Sequence, residues 1–128
     1  MVRINQGQLM LQDLAERPYS PSEPIQFGLQ SFPMLVKQGG IVGYQRAGEA
    51  ARRTVIGQDR NGRILFILAP LGGLSLADFS QWLVDSDLEL DIALNLDGGT
   101  SSSIAIANET GILGFALLPT VIALYERK

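Results

Sequence analysis

An α+β fold, with a mixed β-sheet and one clear amphipathic helix at about residues 75–85, is predicted by three features of this chain. The first is an apolar run, Arg63-Ile64-Leu65-Phe66-Ile67-Leu68, behind the turn signal Asp59-Arg60-Asn61-Gly62. The second is a capped segment of helical period that starts at Ser75. The third is an alternating strand, Ile92 to Leu96, that follows the helix. The order strand, helix, strand makes a βαβ-like unit, with strands 63–68 and 92–96 parallel or nearly neighbouring in one sheet.

The first third of the chain is the least regular. Pro18, Pro21, Pro24 and Pro33, with Ser20 and Ser22 among them, mark residues 17–33 as a loop with at most edge-strand character. Met34-Leu35-Val36 reads as a short strand closed by Gly39-Gly40, and residues 43–53 as an exposed loop or short helical turn. Thr54-Val55-Ile56-Gly57 pairs with 63–68 as a hairpin, because Asn-Gly suits a turn needing positive φ. The unbroken apolar character of 63–68 predicts a strand buried on both faces.

Ser75 caps the helix, with Asp78 as a shorter version of the usual capping-box Glu. Leu76, Phe79 and Leu83 fall at helical spacing to Val84 or Asp85, and Trp82 is read as a core residue. An acidic connection (Asp85, Asp87, Glu89, Asp91) leads to the Ile92–Leu96 strand. Ser102–Ala107 and Thr120–Tyr125 are read as two further strands, separated by the turn Asn108-Glu109-Thr110-Gly111 and by Pro119.

Composition narrows the function. A length of 128 residues fits a single domain, and 46% hydrophobic against 18% charged residues excludes a disordered chain. Ten basic against thirteen acidic residues, with no Lys or Arg run, argue against a nucleic-acid partner held by phosphate neutralisation. Cysteine and histidine are both absent, which removes disulfides, a thiol nucleophile, a His base and Cys/His zinc sites. Acid–base work would then fall to carboxylates, hydroxyls, Arg, Lys, Tyr or a bound ion. The start, Met1 to Gly7, lacks a signal peptide's apolar stretch, and the tract Gly111–Tyr125 is too short for a membrane span. A soluble protein is expected.

The chemically distinctive stretch is Ala93-Leu94-Asn95-Leu96-Asp97-Gly98-Gly99-Thr100-Ser101-Ser102-Ser103. Ile92, Leu94 and Leu96 share one strand face, so Asn95 and Asp97 project from the other. Two glycines remove side chains from a ligand's approach, and the amides and hydroxyls after them can surround an anion or a sugar oxygen. Asp97 is either a chemical group or the acceptor of its own turn's N–H groups. Asn95 is either a structural amide or a substrate contact.

Ala93 to Ser101 resembles the phosphodiester glycosidase family, whose motif is Asn-Leu-Asp-Gly-Gly-Gly-Ser; Thr100 stands where that motif has its third glycine. Arg53-Thr54-Val55-Ile56-Gly57, Ser31-Phe32-Pro33-Met34-Leu35-Val36, Gly73-Leu74-Ser75-Leu76-Ala77-Asp78-Phe79 and Pro119-Thr120-Val121-Ile122-Ala123-Leu124 are similar to further family segments, in the same order. The resemblance covers about residues 25–124, matches 1–24 poorly, and implies that the chain corresponds to the C-terminal part of a longer domain.

What the resemblance implies is hydrolysis of a sugar-1-phosphodiester bond, in a secreted or extracytoplasmic setting. Asp97 would be the catalytic carboxylate, and Arg53, Thr54, Asn95, Gly98, Gly99, Thr100, Ser101 and Ser102 would bind substrate. Arg53 is suited to phosphate by its planar guanidinium, with a strand-edge surface arginine as the plain alternative. Arg52 points to the opposite face. Glycosidase logic asks for a second carboxylate; Asp59 sits in a turn, and the 85–91 acids lie ~17 Å from Asp97 along the strand. No cofactor is expected, and a divalent metal stays open. Two rival readings are an inactive half-domain that binds carbohydrate or phosphate, and an anion-binding regulatory domain using the Asp97–Ser103 turn. A domain lacking its other half would expose an apolar flank and self-associate into a homo-oligomer.

Overall fold

The computed structural model describes residues 1–118 and 120–125. Two antiparallel sheets and one helix form an α+β architecture, as the sequence predicts. The smaller sheet has the order β2-β1-β3, from β1 (Val2–Asn5), β2 (Gln8–Leu11) and β3 (Phe27–Leu29). The larger has the order β5-β4-β8-β6-β7, from β4 (Met34–Lys37), β5 (Ile41–Val42), β6 (Ala51–Asp59), β7 (Ile64–Leu74) and β8 (Leu90–Asn95). Helix α1 (Leu76–Asp85) connects β7 to β8.

The hairpin β1–β2 was not expected in the irregular first third. Its turn holds Gln6 at φ 49° and Gly7 at φ 75°, the pair of positive angles that a tight hairpin turn requires. β3 then pairs with β1 from the other side, which fits the edge-strand character expected within 17–33.

In the β6–β7 turn, buried Asp59 accepts hydrogen bonds from the backbone N–H groups of Asn61 (2.9 Å) and Arg63 (2.8 Å) and from Arg63 Nε (2.5 Å). Burial pushes its pKa up, but the Arg63 guanidinium and these two N–H groups outweigh it and hold the carboxyl below its ordinary value. The cap of α1 is as the sequence predicts. Ser75 Oγ accepts from Asp78 N (3.1 Å), and Asp78 Oδ2 accepts from Ser75 N (3.4 Å).

One face of the larger sheet packs on α1 through Leu35, Val36, Val55, Phe79, Leu83, Leu90 and Ala93. The other packs on the smaller sheet through Val2, Ile56 and Leu94, with Leu9, Leu11 and Leu29 beside them. Strand β8 is therefore enclosed between two layers.

Strands β7 and β8 are parallel and nearly neighbouring in one sheet, as expected, with β6 between them and antiparallel to both. Several other expectations are corrected. β7 is not buried on both faces: Ile64 to Ala69 are all half-buried, because β7 ends the sheet beyond the full cover of either layer. Trp82 is not core but 49% exposed, stacked on Phe79 with ring centres 5.8 Å apart. Residues 102–107 and 120–125 form no strands; one isolated bridge, Ile104 to Ile112, closes the turn at 108–111. The turn expected at Pro119 lies outside the described residues. Residues 43–50 carry no regular structure, and β6 already begins at Ala51. No helix of the described residues is long and apolar enough to cross a membrane.

Candidate functional site

The site grows out of the end of β8. Val55 lies opposite Asn95, and Leu96 N still donates to Thr54 O (2.8 Å), so the chain leaves the sheet alongside Arg52–Thr54. Gly98 then lies against that strand: a Cβ there would stand 2.9 Å from Arg52 O. This close approach excludes any other residue without a shift of backbone. Gly99, at φ 65°, turns the chain into a single 3-10 turn, Gly99–Ser101. Thr100 is not among the residues with positive φ, so its Cβ is tolerated where the family motif has glycine.

Asp97 is exposed, and its Oδ1 accepts from Gly98 N (2.9 Å). Ser101 Oγ donates to Gly98 O (2.7 Å). Asn95 Nδ2 donates to Phe32 O (3.1 Å) while Asn95 N donates to Pro33 O (3.0 Å), which locks the Phe32–Pro33 segment to the last residue of β8. The turn thus presents its carboxylate to solvent on a frame fixed from two sides.

The two arginines share a backbone position beside the turn and send their side chains apart. Arg53 donates from Nη2 to Glu49 O (2.6 Å) and from Nε to Leu74 O (3.2 Å). Its side chain lines a cavity of about 350 Å³ with Tyr44, Glu49 and Leu76. Arg52 donates from both terminal nitrogens to Leu113 O (3.4 Å each) and lies 5.3 Å from the centre of the Phe115 ring. Phe115 N in turn donates to Thr100 O (2.7 Å). Arg52 is therefore the guanidinium coupled to the glycine turn. Sequence reasoning passed over it, since the contact to Leu113 spans 61 residues of chain.

Ion pairs within 4.0 Å among the described residues join Arg3 and Arg17 to Glu23, Lys37 to Glu16 and Arg63 to Asp59; neither Asp97 nor Arg53 takes part. Asp97 is also not in the lining of the Arg53 cavity. The backbones of Arg53 and the turn meet, but their side chains are not in contact through an ion pair. Asp59 is committed to its hairpin, and Asp91 Oδ1 accepts from Gly39 N (3.0 Å), so both acids brace turns. Among the described residues no three His, Cys, Asp or Glu side chains gather into a metal-binding group.

Four side chains around the end of β8 hold a buried polar atom without a protein partner: Arg52 Nε, Thr54 Oγ1, Asn95 Oδ1 and Ser102 Oγ. An unpaired buried group costs about 1–3 kcal/mol; three more such atoms, Arg3 Nε, Gln12 Oε1 and Asp13 Oδ2, lie outside the site, so four of the seven among the described residues gather at this strand end. The expectation that the C-terminal end of β8 favours ligands came from parallel sheets. Both neighbours of β8 are antiparallel, so the location draws its weight from these groups instead.

Fold and site together define an α+β protein whose enclosed central strand ends in an acid-bearing, glycine-rich turn. The family model described as phosphodiester glycosidase matches residues 2–124, and the chain belongs to that family. The match takes in residues 2–24, where no family motif is legible in the sequence. No curated protein and no solved structure matches the chain. The family's name points to glycosidic phosphodiester hydrolysis, with a carbohydrate phosphodiester as substrate.

Proposed function

We propose that this chain hydrolyses a sugar-1-phosphodiester at the turn Asp97–Ser103. The observation that carries the reading is an exposed Asp97 carboxylate on a glycine turn packed against Arg52, within a chain matched by the family model over residues 2–124. In the reaction water adds to the anomeric carbon, the bond from that carbon to the phosphate oxygen breaks, and a phosphate monoester leaves. Asp97 supports that step, as nucleophile or as acid or base.

Gly98 and Gly99 let substrate approach the backbone, and Thr100, Ser101 and Ser102 supply hydroxyls to sugar or phosphate oxygens. Arg53 uses two of its five N–H groups on carbonyls and lines a cavity that Asp97 does not, so it would meet a phosphate oxygen only where the substrate extends from the turn into that cavity. Thr54 Oγ1, Asn95 Oδ1 and Ser102 Oγ lie buried and without a protein partner beside the same strand end, and would meet substrate only where the turn opens. The test is incubation of the chain with an N-acetylglucosamine-1-phosphodiester. Release of free sugar with a phosphate monoester is expected; no release under any metal or pH condition removes the proposal.

A second reading, an inactive binding half-domain that pairs with another chain, is favoured by one observation. The segment after the site is apolar and exposed: Leu113 75%, Phe115 84%, Leu117 100% and Tyr125 90%. Such a surface favours a homo-oligomer or a partner chain. Light scattering that finds only monomer at high concentration removes the homo-oligomer and leaves only a different partner chain.

A further inference from the structure

We propose that the surface around Phe32 and Tyr44 is a carbohydrate subsite for sugar units adjoining the one cleaved, so that the substrate is an oligosaccharide or polymer. This rests on the carbohydrate reading given under Proposed function and extends it to a surface joined to the Asp97 strand through the Asn95–Phe32 hydrogen bond.

The Phe32 ring is 76% exposed although burial would stabilise it by about 1.5–3 kcal/mol. It is nonetheless held in place. Phe32 meets Tyr44 edge to face, with ring centres 6.3 Å apart and planes at 84°. Its carbonyl accepts from Asn95 Nδ2 (3.1 Å), and buried Pro33 follows it. On the other side, Tyr44 N donates to Ser80 Oγ (3.2 Å) on α1. The aromatic pair is thus a fixed platform, tied to the residue two positions before Asp97.

Space lies on both sides of Tyr44. One cavity, about 560 Å³, is lined by Phe32, Lys37, Arg46 and Asp13; the other, about 350 Å³, by Arg53 and Glu49, with Tyr44 common to both. A pyranose has an apolar C–H face and a rim of hydroxyls. It fits an exposed ring bordered by charged donors and acceptors. The two cavities are lined by three cationic side chains (Lys37, Arg46, Arg53) and two acidic ones (Asp13, Glu49), which offer donors and acceptors to sugar hydroxyls.

The experiment is calorimetric titration of the full chain with the N-acetylglucosamine tetramer, for the wild type, Phe32→Ala and Trp82→Ala. Phe32→Ala should weaken binding about threefold to tenfold, with an unchanged unfolding midpoint because the ring is exposed. Trp82→Ala, which removes another exposed aromatic, on α1, should leave the affinity unchanged. No binding by the wild type, or equal affinity in Phe32→Ala, overturns the proposal. Tetramer binding that depends on Phe32 in a chain unable to cleave any phosphodiester would keep the subsite and remove the reaction. Cleavage without Phe32-dependent binding would remove the subsite alone.

Discussion

Strand β8 is paired on both sides and covered on both faces, whereas β7, among the described residues, has only β6 beside it and partial cover on either face. Both are apolar runs of similar character. The difference teaches that hydrophobicity sets how much burial a strand can use, while its place in the sheet order sets how much it receives. The candidate turn projects from the strand that receives most. A rigid root is what a catalytic carboxylate needs, since a small misplacement of a reacting group costs rate.

Substitution in the two strands tests that contrast directly. Leu94→Ala, at a side chain 1% exposed, should cost about 2–5 kcal/mol of stability in denaturant unfolding. Ile67→Ala in β7 should cost clearly less, because its side chain is only half-buried. Equal losses would break the comparison. Gly98→Ala should come next: its Cβ meets a backbone oxygen at 2.9 Å, so the turn must move and activity should fall more than stability does.

Asp59 gives the comparison a pH dependence. Its folded pKa is lowered, so its contribution is complete above the unfolded value and disappears as pH falls through the folded one. Asp59→Asn should therefore destabilise the chain at neutral pH and make its stability less sensitive to acid, as followed by unfolding midpoints between pH 7 and pH 2. A mutant with the wild-type acid slope would show that Asp59 does not carry it. The smallest effect is expected at the helix cap, where Ser75→Ala should cost about 1 kcal/mol, largely without change in activity.

What could be read from sequence was local. Asp59 and Asn61-Gly62 announced their hairpin because turn chemistry resides in adjacent residues, and Ser75 with Asp78 announced the start of α1 for the same reason. The β1–β2 hairpin stayed hidden because its turn puts Gln6, a residue with no special liking for positive φ, in the left-handed region. Residues 102–107 and 120–125 have strand composition but, among the described residues, no strand neighbour, and composition cannot supply one. The site divided in the same way. Asp97 and its glycines stood out as a contiguous motif, while the coupling of Arg52 to Phe115 and the anchoring of Asn95 to Phe32 depend on the fold.

Asp97 is the residue on which the functional account turns. The deciding measurement is the steady-state rate of sugar release from an N-acetylglucosamine-1-phosphodiester by the wild type and by Asp97→Asn, both verified as folded. A loss of about 10²–10⁴-fold in kcat is expected for a group that takes part in the bond-breaking step. Wild-type turnover in Asp97→Asn would contradict the account and leave that carboxylate as a brace for its own turn.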